Sequence, residues 1–170
     1  MHIARQLFYN SCLSFLRFNC VAVVLFQPQI PQNTGNVVRT CAVTGQNLIL
    51  IGPLGFSITD RWLKRAGLDY WEGVNVQVLD NLEELLDRTS ENFYFFSSHA
   101  TQNYTDVSYQ PKDLLIFGAE THGLPESITN KWPNRCVKIP MVSGVRCLNL
   151  ATSVGIGVYE AWRQKGFKKE

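Results

Sequence analysis

VAVVLFQPQIPQNTGNVVRTCAVTGQNLILIG, residues 21–52, is the stretch whose reading decides the architecture. VAVVLF is an apolar, β-branched run stopped by Gln27, Pro28 and Pro31, the pattern of a strand buried on both faces. A helix follows. Asn33 or Thr34 can cap it, Val37, Val38, Cys41 and Ala42 take the apolar side, and Asn36, Arg39, Thr40 and Thr44 take the other. Gly45 closes the helix and NLILIG reads as a second buried strand. A strand, a helix and a strand joined without a hairpin turn make a parallel unit.

The alternation continues on either side of further turns. PLGFSI leads into TDRWLKRAG, a helix whose Arg61, Lys64 and Arg65 form a basic stripe at i, i+3, i+4. VNVQVL is a third strand, and Asp80 with Glu83 makes an acidic capping box before the helix NLEELLDRT. NFYFFSS and DLLIFG supply two more strands around a polar loop. Pro125 starts a short helix at PESITNKW, and RCVKIPM is the last strand. The final helix, LNLATSVGIGVYEAWRQKG, is apolar on most sides from Leu150 to Ala161, so burial on more than one face, as in a dimer interface, is expected. The fold class is α/β, a mostly parallel sheet with helices on both faces.

Bulk properties narrow the classes. At 170 residues, 45% apolar and 18% charged, the chain has enough for one well-buried core and too little for two ordinary domains. Lys and Arg outnumber Asp and Glu by 16 to 14, a balance that permits nucleic acid as a partner without requiring it. Cys12, Cys20, Cys41, Cys136 and Cys147 are odd in number, widely spaced and free of any CxxC pair. Neither a disulfide frame nor a zinc site is suggested, and a reducing cytoplasm fits best. The first twenty residues, rich in aromatics and leucine, could be a transit-like or secretory leader. Arg17 and Asn19 interrupt the apolar run, however, making it too short for a membrane span, so residues 1–20 are read as an appendage and 21–170 as the domain.

Three strand-to-helix junctions carry the chemistry: QPQIPQNTGNVVRT (27–40), LLIFGAETHGLPES (114–127) and IPMVSGVRCLNLATSVGIGVYEAWRQ (139–164). Such junctions are where open α/β sheets keep their ligand sites. The dinucleotide fingerprint is absent, since the GxG of Gly155 and Gly157 falls inside a helix, and there is no GxxxxGK[ST] loop. A nucleotide-like ligand would therefore meet the loops near Gly118, Gly123 and Gly144, where backbone could approach a ligand that a Cβ would exclude. No clustered His, Cys or carboxylate set favours a metal.

IPQNTGNVVR, RWLKRAGLDYWE, FGAETHGLP, KIPM and RCLNLATSVGIGVYEAWRQ resemble, in order and spacing, the SPOUT (trefoil-knot) RNA ribose methyltransferases, specifically the small tRNA wobble-position 2′-O-methyltransferases. The similarity runs from about Val21 to Gly166. It implies transfer of a methyl group from S-adenosylmethionine, with no metal, to the ribose 2′-hydroxyl of the first anticodon nucleotide, C or a modified U, in leucine tRNAs. It also implies a homodimer, a C-terminal trefoil knot, and no membrane. Another tRNA or rRNA position, or a catalytically silent RNA-binding protein of the same fold, stays open.

Within the resemblance, Arg39, Asn33, Glu120 and Asn149 are the catalytic candidates. An isolated helix arginine is commonly a solvated charge, but Arg39 lies directly beyond a strand with Asn33 and Asn36, which favours a role. Glu120 is either a helix-start carboxylate or a group that holds a partner arginine or attracts the sulfonium. Asn149 reads equally as the cap of the last helix. The resemblance points to Phe96, Gly118, Ile139, Met141, Cys147 and Leu148 for the cofactor, with Cys147 in place of the usual serine and His122 where relatives often have arginine. Arg61, Lys64, Arg65 and Arg146 are the RNA-binding candidates, with tail residues Lys165, Lys168 and Lys169 behind them.

Overall fold

The computed structural model describes residues 20–57 and 73–168. Among them seven strands form one all-parallel sheet: β1 Ala22–Phe26, β2 Asn47–Ile51, β3 Val76–Leu79, β4 Phe93–Phe96, β5 Gln102–Asn103, β6 Leu114–Phe117 and β7 Cys136–Lys138, in spatial order β3-β2-β1-β6-β4-β7-β5. The helices are α1 Pro31–Thr44, α2 Leu82–Arg88, α3 Glu126–Thr129 and α4 Leu150–Gln164. A 3₁₀ turn, Pro133–Arg135, precedes β7.

Every residue of β1, β2 and β6 is buried, as their unbroken apolar runs require. Alternation along each strand divides the core in two. Val23, Leu25, Leu48, Leu50, Leu115 and Phe117 pack with α1 and α4 through Val37, Val38, Cys41, Val154, Val158 and Ala161. Ala22, Val24, Phe26, Ile49, Ile51, Leu114 and Ile116 pack on the other face with Leu82, Leu85 and Leu86 of α2 and Ile128 of α3. Helices thus cover both faces.

Several boundaries differ from expectation. α1 begins at Pro31, with Ile30 as its N-cap and no side-chain cap bond, because proline's fixed φ and missing N–H suit a first helical turn. Asn33 and Thr34 therefore lie inside the helix rather than capping it. α2 is capped by Asn81, whose side chain accepts from Glu84 N at 3.1 Å, one residue after Asp80. β7 stops at Lys138 instead of running through Met141, and Pro140, which lacks a donor, follows shortly. β5 is two polar residues paired to β7, too short to leave a periodic signal. α4 buries one stripe, Leu150, Val154, Gly157, Val158, Glu160 and Ala161, and leaves Tyr159 47% exposed, so within the single chain it is not covered on several faces. The basic stripe Arg61, Lys64 and Arg65, residues 1–19 and Lys169 lie outside the described residues. Among the described residues, no helix is long and apolar enough to cross a membrane.

Candidate functional site

β1 and β6 are neighbours whose continuing chains part to opposite faces. α1, after β1, packs on one side, while Ile128 of α3, after β6, packs on the other. The carboxyl ends of two such strands open a crevice, the usual ligand position in parallel sheets. The loop after β6 is closed by an antiparallel bridge in which Ala119 N donates to Gly123 O (3.1 Å) and Gly123 N donates to Ala119 O (2.9 Å). Gly123 takes φ +66°, a left-handed conformation that glycine adopts without strain. A Cβ on Gly118 would stand 2.2 Å from Gly123 C and 2.4 Å from Leu124 N. The absent side chain at Gly118 thus lets the loop close on itself.

Glu120 rides on this turn, and its carboxylate crosses to the β1–α1 junction. Gln29 N donates to Oε2 at 2.8 Å, Ile30 N donates to Oε1 at 3.2 Å, and the Asn33 side chain donates Nδ2 to Oε1 at 3.0 Å. Asn33 in turn accepts at Oδ1 from Asn149 Nδ2, 2.9 Å away. Asn149 caps α4 as expected, its Oδ1 accepting from Ala151 N at 2.9 Å and Thr152 N at 3.4 Å. One hydrogen-bond chain, Glu120 to Asn33 to Asn149, therefore stitches the three sequence junctions together. Glu120 does serve a helix start, but that of α1 rather than of its own segment, where the α1 dipole also favours the negative charge.

The cofactor candidates gather one strand further along. Phe96 is in register with Phe117 on β6 and Val137 on β7, so Phe96, Gly118 and Ile139 leave three adjacent strands at one edge. The ring of Phe96 stacks on Phe117 with centroids 4.4 Å apart. Residues 140–149 are exposed throughout, and Met141, Val142, Val145 and Leu148 show apolar side chains to solvent, Met141 at 37% and Leu148 at 39%. This segment arches back over β4, where Cys147 Sγ donates to Ser98 Oγ at 3.5 Å, before reaching α1 through Asn149. Arg146 is exposed on the same arch.

Arg39 lies elsewhere on α1. Gln32, Asn36, Arg39 and Val43, spaced i, i+4, i+7, i+11, form its exposed stripe, whereas Asn33 is buried. The expected polar ledge is thus split, with Asn33 turned inward to Glu120 and Asn149 and Arg39 outward, about 9 Å further along the helix axis. Cys41, on the inner side of α1, has its thiol pushed up to about 12, chiefly by burial and secondarily by Cys20, so it stays protonated in the core. Gln29, Thr121 and Ser98 also join the site. The only sequence signal was the place of Gln29 and Thr121 inside the quoted junctions, while Ser98 ended a stretch read as a strand. Among the described residues, no three His, Cys, Asp or Glu side chains gather as metal ligands would.

The SpoU rRNA methylase family matches residues 20–159, most of the chain. The chain belongs to that family. A Bacillus subtilis (strain 168) protein, provisionally named a tRNA (cytidine(34)-2′-O)-methyltransferase, is 48% identical over 150 residues, covering 86% of this chain and 94% of the relative. The tRNA (cytidine(34)-2′-O)-methyltransferase of Methylovorus glucosotrophus is 44% identical over 147 residues, 85% of this chain and 96% of its own. A solved structure described for 2′-OH methylation of C/U34 on tRNA aligns with TM-score 0.82 at 41% identity, covering 88% of this chain and 99% of that one. The all-parallel sheet and the crevice beside β1 and β6 are thus those of a SpoU-family member.

Proposed function

We propose that this SpoU-family chain transfers a methyl group from S-adenosylmethionine to the ribose 2′-hydroxyl of the wobble nucleotide of tRNA, cytidine or a modified uridine at position 34, in leucine tRNAs. The observation that carries the reading is the Glu120–Asn33–Asn149 chain, which binds the three junctions into one crevice in a protein more than 40% identical to relatives named for that reaction. Phe96, Gly118, Ile139, Met141, Cys147 and Leu148 would hold the methyl donor. The fit rests on the arch 139–149, which runs past the end of β7 with its main chain beyond the strand ladder and with Met141 and Leu148 exposed. Main-chain groups beside apolar side chains suit an adenine ring. Cys147 offers a weaker hydrogen-bonding group than serine, and here its thiol is turned to Ser98. The bound cofactor supplies an electrophilic methyl group.

The chain's own residues do the rest. Arg39 binds a phosphate or the ribose oxygen and stabilises negative charge as the hydroxyl releases its proton to solvent. A guanidinium keeps its own proton, so Arg39 is not the base. Asn33, Glu120 and Asn149 are positioning residues. With Glu120 oxygens accepting from two main-chain N–H groups and Asn33, they fix where α1 begins relative to the arch and so align the sugar with the donor. Arg146, and the stripe Arg61, Lys64 and Arg65, contribute to RNA binding.

The exposed apolar side chains of the arch, Met141, Val142, Val145 and Leu148, support a homodimer in which one subunit completes the other's crevice. The contacts of the arch with Ser98 and Asn33 support the knotted C-terminal passage implied by the family. An RNA-modifying role fits a cytoplasmic protein. The test is methyl transfer to an anticodon stem-loop and to the same stem-loop with a 2′-deoxynucleotide at position 34. Transfer to the first and none to the second is expected; equal transfer to both, or modification of ribosomal RNA alone, would overturn the assignment.

A further inference from the structure

The turn that carries Glu120 presents a second group that the reading above leaves unused. Thr121 Oγ1 donates to Gln29 Oε1 at 2.6 Å and lies 3.0 Å from His122 Nδ1. With the Thr121 hydroxyl donating to Gln29 Oε1, the contact to His122 is completed by the tautomer that carries its proton on Nδ1 and donates to Thr121. In that tautomer Nε2 is the ring nitrogen left over, on a side chain exposed at the turn's tip. The scaffold is rigid, being closed by the Ala119–Gly123 bridge and anchored by Glu120 to the start of α1. Glu120 has its carboxylate turned inward onto three donors, which leaves His122 as the outward ionisable group of the turn.

We propose that His122, oriented by Gln29 through Thr121, is a phosphate-binding residue of the RNA face, and that it grips RNA only when Nε2 also carries a proton. It rests on the RNA methyltransferase reading and names one of that site's substrate contacts. Imidazole is the side chain whose charge changes between about pH 5 and 8, and the protonated ring makes a charge-assisted bond to phosphate that the neutral ring cannot. The loop 27–31 and the segment 53–57, which meets it through Gly55 N to Pro28 O at 3.0 Å, contain no ionisable side chain. Among the described residues, Glu120 is engaged with the start of α1, and Glu126 at the head of α3 and Arg146 on the arch are the charged positions of the adjoining segments.

The experiment measures binding of an anticodon stem-loop at fixed low salt, at about pH 6 and about pH 8, with the cofactor product present. Wild-type affinity should fall about three- to tenfold between the two. His122→Ala should bind at the weaker level at both pH values, and His122→Arg at the tighter level at both. Thr121→Val should flatten the wild-type slope while Thr121→Ser keeps it, and nitrogen NMR of the His122 ring should show the Nδ1–H preference lost only in Thr121→Val. Wild-type pH dependence persisting in His122→Ala would overturn this proposal alone. Absence of RNA binding by every protein at both pH values would overturn the methyltransferase reading together with it.

Discussion

Glu120 accepts from two main-chain N–H groups and one side-chain amide across 87 to 91 residues of sequence. Glu120→Gln replaces one acceptor oxygen with a donor facing those donors. It is expected to destabilise the fold by about 1–3 kcal/mol, read as a shift in denaturant midpoint, and to reduce methyl transfer in parallel. Asn149→Ala removes the cap of α4 as well as the bond to Asn33, with an expected loss of about 1–2 kcal/mol by the same measurement. Arg39→Lys is different in kind. Arg39 is exposed, so the melting temperature should stay close to wild type while turnover falls roughly 10²-fold if paired guanidinium contacts hold the RNA. At this scale the cap of Asn149 was legible, because an asparagine directly before an apolar periodic run has a local signature. The Asn33 bonds were not, because their partners lie far away in sequence, and a helix-start reading of Asn33 was displaced by the neighbouring Pro31.

At the level of elements, the loop 118–124 is the least tolerant piece of the site. A methyl group at Gly118 would meet backbone atoms of Gly123 and Leu124, which cannot rotate away. Gly118→Ala should therefore open the Ala119–Gly123 bridge, displace Glu120 and His122 together, and abolish activity with a loss of about 2–3 kcal/mol in denaturant unfolding. The arch 140–149 is the opposite case, exposed along its length. Its Cys147 should be alkylated in the native protein and protected by S-adenosylhomocysteine, whereas Cys41, buried and pushed up to about 12, should label only on unfolding; peptide mapping after a short iodoacetamide pulse distinguishes them. Buried parallel strands and α1 could be read from apolar runs and periodicity. The two-residue β5 and the early end of β7 could not, since neither has enough residues to show a period and both are set by pairing with neighbours.

Across the whole molecule, the polar tie between α4 and the loop before β6 makes a modest contribution to acid stability. Glu160 accepts from Arg163 Nε at 2.8 Å and from Gln164 Nε2 at 2.9 Å, and Gln164 also bonds Tyr109 N and Val107 O. The Arg163 hydrogen bond, first among the causes, holds the Glu160 carboxyl below its ordinary value of 4.5. A depressed carboxylate binds fewer protons folded than unfolded, so its contribution is complete above 4.5 and is lost as pH falls below it. Arg163 is 60% exposed, which screens the pair, and Glu160→Gln should lower stability at neutral pH by no more than about 1 kcal/mol while flattening the acid limb of the denaturation curve. The parallel α/β class followed from the βαβ reading of residues 21–52, and the shared edge of the three junctions followed from that class. Their side-chain chain of bonds depends on tertiary geometry that no local pattern encodes, whereas the outward turn of Arg39 followed from the helical period that set it opposite Val37, Val38 and Cys41. The central claim is transfer of a methyl group to one sugar oxygen. Nucleoside mass spectrometry of the anticodon loop, after incubating tRNA with the protein and methyl-labelled S-adenosylmethionine, tests it most directly. The account predicts label on the ribose of nucleotide 34 with wild type and a deep loss with Arg39→Ala; label on a base, at another position, or undiminished in the variant would contradict it.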